Sequence, residues 1–117
     1  MFKGFNQVNV YVEGQGIVRK TIAVNNGKIT AINDDKNYDL EKLKDNLLVV
    51  PGFIDKHIHG ANNSDGMYPT FQDIANISKA IASEGVTSFL VTTMTQSKEN
   101  ITAALKNIKE YIEADVT

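Results

Sequence analysis

Both histidines of the chain fall in one ten-residue stretch, PGFIDKHIHG, which runs from Pro51 to Gly60. His57 and His59 stand two apart, and Asp55 lies two residues before the first. In an extended strand alternate side chains share a face, so Asp55, His57 and His59 line one side while Ile54, Lys56 and Ile58 line the other. Imidazoles at i and i+2 have Cα atoms roughly 7 Å apart, near enough to converge on one divalent ion. Zinc, iron and manganese are the candidates, and with no cysteine in the chain any such ion is held by His and carboxylates. The spacing alone leaves a second reading open, in which both are surface histidines at a strand end. Position favours chemistry, because α/β folds gather ligands where a parallel strand runs into its C-terminal loop. That loop is the turn-rich GANNSDG, whose Asn62, Asn63 and Asp65 either face a substrate or simply make turns.

The elements that must position this stretch are readable on either side of it. QVNVYV, IVRKTIAV and ITAI are β-branched runs separated by EGQG and NNGK, which predicts a meander of two hairpins. Asn26-Gly27 is the strongest turn signal, since a two-residue type I′ turn needs positive φ at both central positions. DDKNYDLEKLKDN reads as a surface connection with one helical turn at Leu40–Lys44. LLVV is then broken by Pro51-Gly52. A proline cannot donate to a sheet ladder, so the chain is expected to leave one sheet near Val50 and enter another at Phe53. The domains are accordingly 1–50 and 51–117.

From Thr70 the period changes to that of a helix. Phe71, Ile74, Ile77, Ser78 and Ile81 recur at three- and four-residue spacing, with Thr70 as N-cap and Gly85 as terminator. VTSFLVTTM is expected as a buried strand, and Ser97 caps a second helix with Ile101, Ala104, Leu105, Ile108 and Ile112 on one face. The second half is thus β-α-β-α, with its two strands parallel through a right-handed crossover. Two parallel strands cannot cover both faces and both edges of a sheet, so this half looks unfinished.

Composition narrows the function classes. The chain has 117 residues, of which 42% are hydrophobic and 22% charged, with a net charge of −2. That is a folding composition with neither a basic stripe for nucleic acid nor a polybasic patch for lipid. No run approaches the ~20 apolar residues of a membrane span, and the expected location is cytoplasmic. Gly14-Gln15-Gly16 lacks the third glycine and following helix of a dinucleotide fingerprint and reads as a hairpin turn. Thr92, Thr93 and Thr95 are either a β-branched strand end or hydroxyls within reach of a substrate.

PGFIDKHIHG resembles the first barrel strand of the amidohydrolase superfamily, in which a small β-sandwich leads into a (β/α)8 barrel and H-x-H supplies two metal ligands. HIHGANNSDGM, ASEGVTSF and LVTTMTQS are similar, more narrowly, to N-acetylglucosamine-6-phosphate deacetylases. The pattern departs at Val91, where the family usually has proline, and at ANNS, which is usually glycine-rich. The resemblance implies an α/β chain made of a β-sandwich portion followed by the first two βα units of an incomplete barrel. It implies hydrolysis of N-acetylglucosamine 6-phosphate to glucosamine 6-phosphate and acetate, with one or two divalent ions in the complete enzyme. The resemblance implies that His57 and His59 are metal ligands, as in members that keep both histidines; other members have replaced the pair and work with one metal, so the pair serves either the indispensable ion or a second one. Asp55 takes a supporting role or, alternatively, makes only a salt bridge or core hydrogen bond. The family's remaining groups are a glutamate of the third strand, histidines of the fifth and sixth, and the acid–base aspartate of the eighth. They are not in this sequence, so the 117 residues alone are expected to be inactive. Two rivals stand beside this reading. One is another amidohydrolase, dihydroorotase-like or deaminase-like, against which GVTSFLVTTMT argues; the other is a truncated, non-catalytic product that self-associates through strand edges and apolar helix faces.

Overall fold

The computed structural model describes residues 2–114, and the chain divides into two units, Met1–Pro51 and Gly52–Thr117. In the first, β1 (Gly4–Val12), β2 (Gly16–Asn25) and β3 (Lys28–Asn33) form the expected antiparallel meander. Asn26 and Gly27 carry φ of 49° and 72°, the two left-handed residues of the tight turn. A short β4 (Leu48–Val49) adds in parallel to β1, which gives the order β3-β2-β1-β4. Strand alternation buries Val8, Val10 and Ile22 on one face, with Val12, Val18, Val24, Leu43 and Val49 packed around them.

The helical turn expected at Leu40–Lys44 does not form. Glu41 instead bridges Phe5 in parallel; the Asn6 N–H donates to Glu41 O at 2.8 Å and the Glu41 N–H to Gly4 O at 3.1 Å. One helical turn must bear the full nucleation cost for a single bond, and pairing with a waiting sheet edge satisfies the same backbone groups without it.

The second unit is built around a helix. β5 (Phe53–Ile58) and β8 (Val86–Val91) pair in parallel, with α1 (Phe71–Ala82) in the crossover and α2 (Lys98–Glu113) after β8. The predicted caps are in place: Thr70 Oγ1 accepts from the Asp73 N–H at 3.3 Å, and Ser97 Oγ from the Asn100 N–H at 3.2 Å. Gly85 sits at φ 83° just past α1. Ile74, Ile77 and Ile81 make the buried centre, and Ile58, Val86, Phe89, Val91, Ile108 and Tyr111 close on it.

Two expectations need correction here. The second strand ends at Val91 and is not buried: Leu90 is 61% exposed, and among the described residues β5 is the strand's single partner in the sheet. The stripe on α2 is also rotated from the predicted one. Ala104 and Asn107 are buried, whereas Leu105 and Ile112 are exposed. Asn107 turns inward because its Nδ2 donates to Thr70 O at 3.0 Å, tying α2 to the start of α1.

Candidate metal centre

His57 lies on β5, and His59 just beyond its end, where the strand gives way to β6 (Gly60–Ala61). Their rings meet nearly edge to face, with centroids 5.0 Å apart and an interplanar angle of 77°. The two Nε2 atoms are 3.1 Å apart. Two Zn–N bonds of ~2.0–2.1 Å meeting near the tetrahedral angle place their nitrogens ~3.3 Å apart, so the pair has the spacing of two ligands on one ion. In the absence of an ion the same distance suits a hydrogen bond between the rings.

The proton positions decide which. His59 Nδ1 lies 2.9 Å from the main-chain oxygen of Thr92. A carbonyl only accepts, so Nδ1 carries the hydrogen, and neutral His59 presents an Nε2 lone pair. His57 Nε2–H then donates to it in the metal-free chain. His57 is exposed and free to change tautomer, after which both Nε2 lone pairs face the same point.

The loop after His59 is a small clamp. β6 and β7 (Ser64–Asp65) form a hairpin whose two turn residues, Asn62 and Asn63, have φ of 50° and 59°. The Gly66 N–H donates to His59 O at 2.7 Å, and Asn76 Nδ2 on α1 to the buried Ser64 Oγ at 3.1 Å. On the other side the Thr92 N–H donates to Ile58 O at 2.8 Å. His59 is therefore held between the hairpin and the end of β8.

The remaining candidate residues are accounted for by this frame. Asp55 Oδ1 accepts from the His57 N–H at 2.9 Å, which steadies the strand at the first histidine. Asn62 and Asn63 make the turn, and Asp65 Oδ1 accepts from the Met67 N–H at 2.8 Å. Thr92 Oγ1 donates to Leu90 O at 3.4 Å, and Thr93 is half-buried beside it. Sequence reasoning looked to the threonine hydroxyls and missed the Thr92 carbonyl, which no residue-type signal marks. Among the described residues, no cluster of three or more His, Cys, Asp or Glu is placed to hold an ion. The chain thus fits a metal as the donor of two imidazoles, fewer than the three or four protein ligands of a zinc site.

No family model matches the chain. Its relatives are amide hydrolases of one kind, deacetylases of an amino-sugar phosphate by their names. The N-acetylglucosamine-6-phosphate deacetylase of Bacillus subtilis (strain 168) is 33% identical over 113 residues, covering 92% of this chain and 28% of that enzyme. Among solved structures, the deacetylase of Thermotoga maritima superposes with a TM-score of 0.76 at 27% identity, over 94% of this chain and 28% of that one. The Mycobacterium smegmatis deacetylase shares the fold with a TM-score of 0.84 at 16% identity, over 97% of this chain and 33% of that one. The chain is homologous to a segment of the N-acetylglucosamine-6-phosphate deacetylases, and spans about 28% of the length of the Bacillus subtilis enzyme.

Proposed function

We propose that the chain is the N-terminal part of a metal-dependent deacetylase that hydrolyses N-acetylglucosamine 6-phosphate, and that its contribution to the active site is the pair His57 and His59. The observation that carries this is the 3.1 Å Nε2–Nε2 separation, with one ring already oriented by Thr92. A divalent ion supplies Lewis acidity, lowering the pKa of water and polarising an amide carbonyl. What this chain's residues do is narrower. His59 offers a preset lone pair, His57 offers one after a tautomer change, and Asp55 steadies the strand beneath them. β5, β8 and their helices are then the first two βα units of a (β/α)8 barrel, and the first unit is part of the accompanying β-sandwich. The 117 residues alone do not turn over substrate, because two imidazoles hold an ion weakly and bring no acid–base group to the amide.

A chimera tests this. The chain replaces the corresponding segment of the Bacillus subtilis deacetylase, and glucosamine 6-phosphate release is measured. The expected result is activity in the chimera, loss of bound metal on His57→Ala or His59→Ala, and none from the 117-residue chain. A folded chimera that carries metal yet leaves the sugar phosphate intact would sink the reading. Exposed Phe53, Ile54 and Leu90 favour a second property: the separate chain self-associates through these surfaces in preference to remaining a monomer.

A further inference from the structure

We propose that Gly66 is a positioning residue: its missing side chain lets Val91 and the end of β8 sit close to the hairpin, so that the Thr92 carbonyl fixes His59 in its Nδ1–H tautomer. A Cβ built on Gly66 lies 2.3 Å from Val91 Cγ1 and 3.2 Å from His59 O. Neither neighbour yields easily. Valine is stiff at χ1, and its side chain packs on the buried Ile74–Ile77–Ile81 centre. His59 O is fixed as the acceptor of the Gly66 N–H. A methyl at position 66 therefore pushes β8 away from the hairpin. Val91 pairs with Ile58 and precedes Thr92, so the displacement reaches the 2.9 Å contact between Thr92 O and His59 Nδ1. With that acceptor gone, His59 relaxes to the Nε2–H tautomer that a free imidazole prefers in water, and its lone pair no longer faces His57.

This inference rests on the proposed metal role of the pair only for its consequence, not for the tautomer. The experiment uses the full 117-residue chain. Ring 15N shifts of metal-free protein at alkaline pH, where imidazole is neutral, report the tautomer directly. Zn2+ titration against a competing chelator reports the consequence. The native chain is expected to show Nδ1–H at His59, and Gly66→Ala to show mostly Nε2–H with Zn2+ affinity about 10–100-fold lower. Gly66→Ala/Val91→Ala, which removes the methyl in the way, restores both, and Val91→Ala alone leaves the tautomer unchanged. If Gly66→Ala does not fold, the double variant is expected to fold with His59 as Nδ1–H. Retention of Nδ1–H in folded Gly66→Ala, or failure of the double variant to restore it, overturns the proposal. Zn2+ affinity that stays constant while the tautomer changes overturns the consequence for the metal and leaves the positioning role of Gly66 supported. If the tautomer follows the 66–91 pair but no variant takes up Zn2+, the positioning device stands and the metal reading falls.

Discussion

The two sheets of this molecule treat their strands differently. In β3-β2-β1-β4, two strands are interior, each with a ladder on both sides, and the hairpins that make this possible are local in the chain. Among the described residues, neither strand of β5-β8 is interior and each has one edge without a partner. What lies at the centre of that unit is the crossover helix, with Ile77 fully buried while Phe53 is 63% exposed. An antiparallel meander can finish its middle from its own neighbourhood. A parallel pair needs a crossover before the first contact is made and further strands before either edge is covered. The candidate metal centre sits on the less finished sheet. Its geometry therefore depends on a short hairpin and one carbonyl rather than on a closed ladder.

The strongest way to break this contrast is at the two centres. Ile77→Ala is expected to cost about 2–5 kcal/mol, and Ile22→Ala in β2 the same range, since both are buried isoleucines. Their reach differs. Ile77 belongs to the cluster that joins β5 and β8 to α1, so its loss should abolish amide protection in both strands together. Hydrogen exchange followed residue by residue reads this. Protection surviving in β8 after Ile77→Ala would mean that the parallel pair stands without its helix.

The same contrast explains what was legible in advance. Hairpins, caps and the crossover are written locally: Asn26-Gly27, Thr70 and Ser97 each act within a few residues of themselves, and each is where the residue types place it. The errors fall where a distant partner decides. Leu40–Lys44 has a composition open to a helical turn, and the edge at Phe5 drew it into a bridge. Leu90 has a buried residue's chemistry and is largely exposed, whereas Asn107 is a polar residue turned inward by a carbonyl 37 positions away. The histidine pair was visible because H-x-H on a strand is a local pattern. The Thr92 carbonyl was not, since a backbone oxygen has no signature in the residue that carries it.

A sharper test is the β6–β7 hairpin beside His59. A Cβ on Gly60 would lie 2.2 Å from Ser64 O, a backbone atom held within the β6–β7 pair. Gly60→Ala is expected to cost about 1–3 kcal/mol as the hairpin is forced apart, with added mobility at His59. A urea midpoint unchanged from the native chain would show that the hairpin contributes nothing. The opposite sign is expected at its turn. Asn63 holds φ of 59°, where the first unit's equivalent turn has Gly27. Asn63→Gly relieves a left-handed side chain but adds freedom to the unfolded chain, for a net gain of about 0.5 kcal/mol. The urea midpoint should rise with the slope unchanged. A fall would mean that the asparagine side chain, rather than its backbone angle, stabilises the turn.

The smallest effect on stability carries the most information about the open sheet. Leu90→Lys replaces an apolar side chain that is 61% exposed, so the folding free energy of the separate chain should move by less than about 0.5 kcal/mol. Its effect on association should be larger, because a charge on an exposed strand face opposes edge-to-edge and face-to-face pairing. Light scattering on the native chain and the variant is expected to show a shift toward monomer, while their urea midpoints coincide. In the chimeric deacetylase the same substitution should be destabilising, since further strands and helices would there cover Leu90. Equal tolerance in both settings would mean that this face stays open even in the longer protein, and that the parallel pair is complete as it stands.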